Sequence, residues 1–375
     1  MSKKNFLVMM SGGTTPVINS TLVGIIKELK RKNIKVFSGK QGIEGVKKNK
    51  FINLNKISKL KLNQLQYTPG SHFIGTTRIE KLTNAEIKNI EKNLIAKDIK
   101  NIINIGGNGT LKQTIELSNK LKNFNFASCP KTVDNDLGDK NFKRVQYNPG
   151  FPSCVLIWKF FYNMLNLENI GAHSHDKVII SQTFGRDTGF ICGSIRLWDL
   201  KRKKPIMLLL PEDKQSIGKI IRYVKKQIRK FDRLLIFISE GYKIGNIGSR
   251  YDKSGQIMYG SSNNTNCQLL SNILNREKIQ SRIFNPTILQ RVFKFENNKI
   301  FFHDNKTAYR LGSSTARMML RGKKSFLISI LKNKIIPIDF SACNNFSRKM
   351  PLKFIKKGHF DVKDRYIRYL KKIVK

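Results

Sequence analysis

Acidic residues are scarce in this 375-residue chain: 25 Asp and Glu stand against 71 Lys and Arg, for a formal net charge of +46. A deficit of that size ordinarily points toward nucleic acid. Here, though, the lysines are spread along the whole chain among asparagine and isoleucine instead of being gathered into an arm. The pattern reads as a drift across surface positions, of the kind an AT-rich genome produces, and basic sequence alone confers only non-specific affinity; nucleic acid is not the expected partner. Cysteine is sparse too. Cys129, Cys154, Cys192, Cys267 and Cys343 show no CxxC spacing and no histidine at metal-site spacing, which excludes a zinc ribbon and leaves reduced, mostly buried thiols of a cytoplasmic protein as the expectation. No apolar run reaches the length of a membrane span, and the run after Met1–Asn5 is too short for a signal peptide. Internal repeats and low-complexity linkers are lacking as well. At 40% hydrophobic residues the chain can bury a sizeable core, and its length allows two domains.

What the chain does have is concentrated in three short stretches. Pro130-Lys131-Thr132-Val133-Asp134-Asn135-Asp136 places two carboxylates at i, i+2 beside a lysine and a hydroxyl. One loop thus offers a base, a metal ligand and a cation for phosphate, the groups phosphoryl transfer requires. In isolation Asp-Asn-Asp would equally suit an Asx turn. Upstream, the apolar run from Asn101 to Ile105 breaks into Gly106-Gly107-Asn108-Gly109-Thr110. A buried parallel strand ends this way when its glycines let backbone N–H groups approach an anion, and Thr110 is positioned to cap the following helix. The amino terminus repeats the device: Asn5–Met10 runs into Ser11-Gly12-Gly13-Thr14-Thr15-Pro16 and then a helical pattern, Val17–Leu29. Two glycine turns after two strands suggest one phosphate-binding crevice.

Periodicity predicts strands near 5–10, 34–38 and 101–105 alternating with helices near 17–31 and 84–97. After Asn148-Pro149-Gly150 a second series follows: a helix over 151–167, strands at 177–183, 205–210 and 233–239, and a helix over 215–230. Such alternation argues for the α/β class with a mostly parallel sheet covered on both faces, twice over. The tail from about Arg348 is basic with scattered apolar residues and reads as a helix packed on the first domain.

Taken in order, Gly12-Gly13, Gly75-Thr76-Thr77-Arg78, Gly106–Thr110, Pro130–Asp136, Phe184-Gly185-Arg186-Asp187-Thr188-Gly189, Ser239-Glu240-Gly241 and Gln290-Arg291 resemble the phosphofructokinase family, its pyrophosphate-dependent branch more than its ATP-dependent one. The resemblance spans most of the chain. It implies two Rossmann-like three-layer α/β/α domains with mostly parallel sheets facing one active-site cleft. The donor-binding domain would comprise residues 1–147 and 290–345, the fructose-6-phosphate domain 148–289, and the tail 346–375. By the same resemblance Asp134 is the base for the 1-hydroxyl of fructose 6-phosphate, Asp136 helps hold Mg²⁺, and Thr132 hydrogen-bonds the reacting centre. Arg186, just past a strand end, neutralises the phosphoryl group in flight, with Gly185 beside it. Glu240 accepts a sugar hydroxyl, and the glycine after it, Gly241, suggests close approach of a ligand. Lys177, Arg282 and Arg291 take the 6-phosphate, the first two across a subunit boundary, so a homodimer or homotetramer is expected. Lys177 stands where the family usually has arginine, which keeps the charge but loses the fork. Gly12, Gly13, Arg78, Gly107, Asn108, Gly109 and Thr110 form the donor-phosphate site.

On the donor side the residues disagree. Pyrophosphate-dependent relatives carry a lysine after the proline of the catalytic loop, as Lys131 does here; it fills space a nucleotide needs and offers a cation to the leaving phosphate. Gly109 matches the ATP enzymes instead, and Asn108 stands where they place a metal-binding aspartate. A lysine is a positive obstacle to a nucleotide, whereas a glycine only fails to be one, so pyrophosphate is the expected donor. ATP-dependent 6-phosphofructokinase activity, or a catalytically impaired regulatory or nucleic-acid-binding descendant, are the alternatives. Thr14, Phe184 and Gln182 depart from the family pattern without touching the base.

Overall fold

A computed structural model describes residues 4–79, 81–252, 255, 257–294 and 301–375. The chain divides into two compact units, Met1–Ser153 with Lys294–Arg348, and Cys154–Phe293 with Lys349–Lys375. The sheet strands, in chain order, are β1 (Asn5–Met10), β2 (Val36–Gly39), β3 (Phe51–Asn53), β4 (Ile99–Gly106), β5 (Asn125–Pro130), β6 (Val178–Thr183), β7 (Ile206–Leu209), β8 (Leu234–Ser239), β9 (Ser281–Phe284), β10 (Phe326–Leu331) and β11 (Lys334–Asp339).

In the first unit seven strands line up as β11-β10-β5-β4-β1-β2-β3. The inner pairs are parallel, and only the two edge pairs, β10 with β11 and β2 with β3, run antiparallel. Strands covered on both faces need apolar residues at consecutive positions, and β1 supplies them. Phe6, Val8 and Met10 enter one core cluster while Leu7 and Met9 enter the other. On the first face the helices Ile18–Lys30 and Phe302–Leu320 touch backbone to backbone. A Cβ at Gly24 would lie 2.2 Å from Tyr309 O, and one at Gly312 2.1 Å from Thr21 O, so glycine at both positions sets the interhelical approach.

The second unit carries a parallel four-stranded sheet ordered β7-β8-β6-β9. Val178, Ile180, Leu234, Ile236 and Ile238 pack against the helices Ile217–Phe231 and Asn266–Arg276. The C-terminal tail corrects the expectation that it covers the first domain: it belongs to the second unit. Tyr366, Ile367, Leu370 and Ile373 make a buried stripe on the helix Asp364–Ile373, Tyr366 Oη donates to Phe190 O at 2.5 Å, and Arg196 Nε donates to Asp361 Oδ1 at 2.8 Å. The apolar residues that read as scattered in sequence are helically spaced. Among the described residues no helix is long and apolar enough to cross a membrane. All five cysteines are buried and free.

Candidate active site

Because β5, β4 and β1 are adjacent and parallel, the loops that leave their carboxyl ends meet at one edge of the first sheet, where an open α/β fold places ligands. Backbone bonds stitch them together: Ser11 N donates to Ile105 O at 3.0 Å, Lys131 N to Gly106 O at 2.9 Å, and Gly12 N to Thr77 O at 2.8 Å. The last bond brings the exposed Arg78 beside the first glycine turn. Gly12 sits at φ +77, a conformation that favours glycine. Lys131 is 3% exposed; its ammonium donates to Gly13 O, and a Cβ at Gly12 would stand 3.5 Å from Nζ.

The second glycine turn opens directly into the helix Asn108–Lys120, with Gly107 as N-cap and no side-chain capping bond. Thr110 therefore does not cap it, contrary to the sequence expectation. It lies inside the first turn, packed onto Gly106, whose hypothetical Cβ would meet Thr110 Oγ1 at 2.1 Å. The helix begins immediately after Gly107, which places Asn108 and Gly109 in its first turn.

Asp134 and Asp136 flank Asn135, a fully buried residue at φ +56. The Thr132 hydroxyl donates to Asp136 Oδ1 at 3.1 Å and accepts from Asp134 N at 3.1 Å. Asn108 Nδ2 donates to Asp136 Oδ2 at 2.7 Å, so the amide on one loop and the carboxylate on the other form a pair. Behind the loop Asp304, 2% exposed, accepts at Oδ2 from Gly150 N, Ser153 N and Ser153 Oγ at 3.0, 3.2 and 2.6 Å. Burial pushes its carboxyl up to about 6. Sequence reasoning missed Asp304; nothing near it in the chain marks it.

In the second unit the loop after β6 carries Arg186 at φ +29. Its carbonyl crosses directly over the turn after β8: a Cβ at Gly241 would stand 1.3 Å from Arg186 O. Gly241 thus makes room for protein backbone, which corrects its reading as a mark of ligand approach. Glu240 is 8% exposed, and its Oε1 accepts from Arg186 N at 3.2 Å. Burial raises its carboxyl to about 7 despite opposing hydrogen bonds and the nearby Arg186 and Arg291. Arg291 Cζ also lies over the Phe184 ring, 5.3 Å from its centroid. A second carboxylate, Glu212, braces the far end of the loop: Oε1 accepts from Gly189 N at 3.0 Å and Met350 N at 2.7 Å, and burial lifts it to about 7 as well. It too was not singled out from sequence.

Arg186, Glu240, Arg291 and Phe184 gather at the carboxyl ends of β6 and β8, but Lys177 and Arg282 do not join them. Lys177 precedes β6, roughly 20 Å from the carboxyl end of that strand at about 3.3 Å per residue, and Arg282 lies opposite Ile179 in the parallel register, roughly 13 Å from it, so both occupy the amino ends of the strands. There Lys177 pairs with Asp232, while Arg282 pairs with Glu168 at 2.8 Å and Asp176 at 2.5 Å.

The family model described as Phosphofructokinase matches residues 5–316. A pyrophosphate–fructose 6-phosphate 1-phosphotransferase of Xanthomonas campestris pv. campestris is 25% identical, with all of this chain and 92% of the relative covered. An ATP-dependent 6-phosphofructokinase of Staphylococcus aureus is 22% identical over 90% of this chain and 92% of its own length. Among solved structures, a pyrophosphate-dependent phosphofructokinase from Nitrosospira multiformis has the same fold, with a TM-score of 0.87 at 22% identity, covering 100% of this chain and 92% of the other.

Proposed function

The chain belongs to the phosphofructokinase family, and on that premise we propose that it transfers a phosphoryl group from pyrophosphate to the 1-hydroxyl of fructose 6-phosphate, reversibly, giving fructose 1,6-bisphosphate. Lys131 is the observation that carries this reading: its buried ammonium rests on the Gly13 carbonyl, in the crevice where a nucleotide would have to enter, and its charge suits a leaving phosphate. Asp134 takes the hydroxyl proton as the sugar oxygen bonds phosphorus and the bridging P–O bond breaks; the electron pair leaves on phosphate. Arg186 offsets charge on the group in transit, with Gly185 allowing the loop its turn. Glu240, Arg291 and, from a partner subunit, Lys177 and Arg282 hold the sugar phosphate. The placement of the last two at the far end of their own sheet supports a homodimer or homotetramer. Gly12, Gly13, Arg78, Gly107, Asn108, Gly109 and Thr110 line the donor phosphates, so the first unit holds the donor and the second the sugar. Five buried free thiols suit a cytoplasmic setting.

The residues beside the loop fit a hydrated Mg²⁺. Asp136 contributes one carboxylate, and Asn108 Oδ1 is buried with no hydrogen-bond partner among the described residues. A Mg²⁺ held there would keep several waters and share phosphate oxygens. When bound, it would shield the charge of the two phosphates. Asn108, being neutral, spares Asp136 a like-charged neighbour at 2.7 Å.

Gly109 favours a second reading, ATP as donor. The two separate when purified protein is given fructose 6-phosphate, Mg²⁺ and either donor at equal concentration. Turnover with pyrophosphate alone is expected; turnover with ATP alone would overturn the donor assignment, and none with either would overturn the activity.

A further inference from the structure

We propose that Arg348 is a positioning residue: its buried guanidinium holds the Asp134–Asp136 loop in its reactive shape by clamping Asn135. Nothing in the local sequence announces this. Arg348 lies 213 residues from Asn135 in a segment that reads as plain basic tail, yet it is 1% exposed. Nε donates to Asn135 O at 2.8 Å, Nη2 to Asn135 Oδ1 at 2.8 Å, and Nη1 to Val145 O at 2.5 Å. Its Cζ lies over the Phe142 ring, 4.1 Å from the centroid.

Three further features are built around that side chain. The backbone of the segment runs antiparallel to the loop, with Leu137 bridged to Ser347 and Arg348 N donating to Asp136 O at 2.8 Å. Gly138, at φ +146, leaves the room the guanidinium occupies: a Cβ there would stand 3.0 Å from Nη1 and 3.3 Å from Cζ. Asn148 completes the clamp, its N–H donating to Asn135 Oδ1 at 3.1 Å and its side chain bonding both sides of Leu137, at 3.2 and 3.0 Å.

The geometry has a specific consequence. Asn135 is in the left-handed conformation, and that single inverted residue sets the directions of the carboxylates on either side of it. Holding both its carbonyl and its amide oxygen from one planar fork fixes that inversion. A lysine could reach one acceptor but not reproduce the fork. A guanidinium also stays charged at every pH at which the protein folds, so the clamp does not loosen as the surroundings titrate.

The catalytic part of this inference rests on the proposed phosphotransfer, so its test carries two readouts. Arg348→Lys is compared with the unaltered protein by steady-state kinetics and by amide hydrogen exchange. The expected result is a folded protein in which exchange quickens over residues 134–138 but not in β1 and β4, with kcat lowered on the order of tenfold to a hundredfold, as a misplacement of about an ångström produces, and the KM for fructose 6-phosphate within about twofold. Asn135→Gly, which tolerates the positive φ but removes the amide acceptor, should move both readouts the same way and replaces Arg348→Lys should that variant not fold. Unchanged kcat with unchanged exchange in the loop, or exchange quickened uniformly through the first unit, would overturn the proposal. If the unaltered protein turns over neither donor, the functional reading fails, and the exchange comparison still decides the clamp.

Discussion

The two loops proposed to carry the reacting groups are held by opposite kinds of chemistry. In the first unit the aspartate loop is gripped by a guanidinium, whose charge does not titrate. In the second unit the arginine loop is gripped by carboxylates, Glu240 on Arg186 N and Glu212 on Gly189 N, both raised by burial to about 7. The anionic loop has a cationic brace and the cationic loop has anionic ones. The lesson lies in pH: the guanidinium on the aspartate loop keeps its charge across neutrality, whereas Glu212 and Glu240 on the arginine loop change charge there.

The comparison breaks most completely at its centre. Asp134→Ala is expected to lower turnover by at least about a thousandfold with either donor while fructose 6-phosphate still binds in a calorimetric titration; unchanged turnover would remove Asp134 as base. Next in size, Gly241→Ala pushes a methyl into the Arg186 carbonyl and should reduce kcat on the order of a hundredfold. Amide exchange in the aspartate loop should stay as it was, and a change there would show the two loops to be one structural element. Lys131→Gly should weaken pyrophosphate use about tenfold, one lost charged contact, and admit ATP. Full pyrophosphate activity in that variant would detach donor choice from the lysine.

The smallest effect concerns stability. Glu212 and Glu240 have folded values raised above their ordinary 4.5, so the folded chain binds protons more tightly than the unfolded one. Their contribution is therefore fully present below about pH 4.5 and is lost as pH climbs toward 7. For Glu212 the shift corresponds to roughly 3 kcal/mol. Glu212→Gln should flatten that decline in denaturant titrations between pH 4.5 and 7.5; an undiminished slope would mean another group carries it.

How far the sequence could be read follows the same division. The strands with continuous apolar runs, such as β1, β4, β6 and β8, and the groups packed into one loop, Lys131 through Asp136, were legible because their chemistry is local. The braces were not. Arg348 reaches Asn135 across 213 residues, Met350 reaches Glu212 across 138, and Asp304 reaches Gly150 across 154; no spacing rule connects such pairs before the fold brings them together. Gly241 was misread because a glycine that admits a ligand and one that admits another strand's carbonyl look alike in sequence. Thr110 was misread because a threonine after glycines has the look of a cap, whereas the helix begins at Asn108. The hairpin of β10 and β11 and the helix Phe302–Leu320 went unpredicted, since short or mixed-polarity segments carry little periodic signal.

Reversibility tests the central claim most directly. Given fructose 1,6-bisphosphate, inorganic phosphate and Mg²⁺, the protein should generate pyrophosphate, visible as a new resonance by phosphorus NMR, together with fructose 6-phosphate. The absence of that resonance, with ATP formed instead when ADP replaces phosphate, would contradict the account.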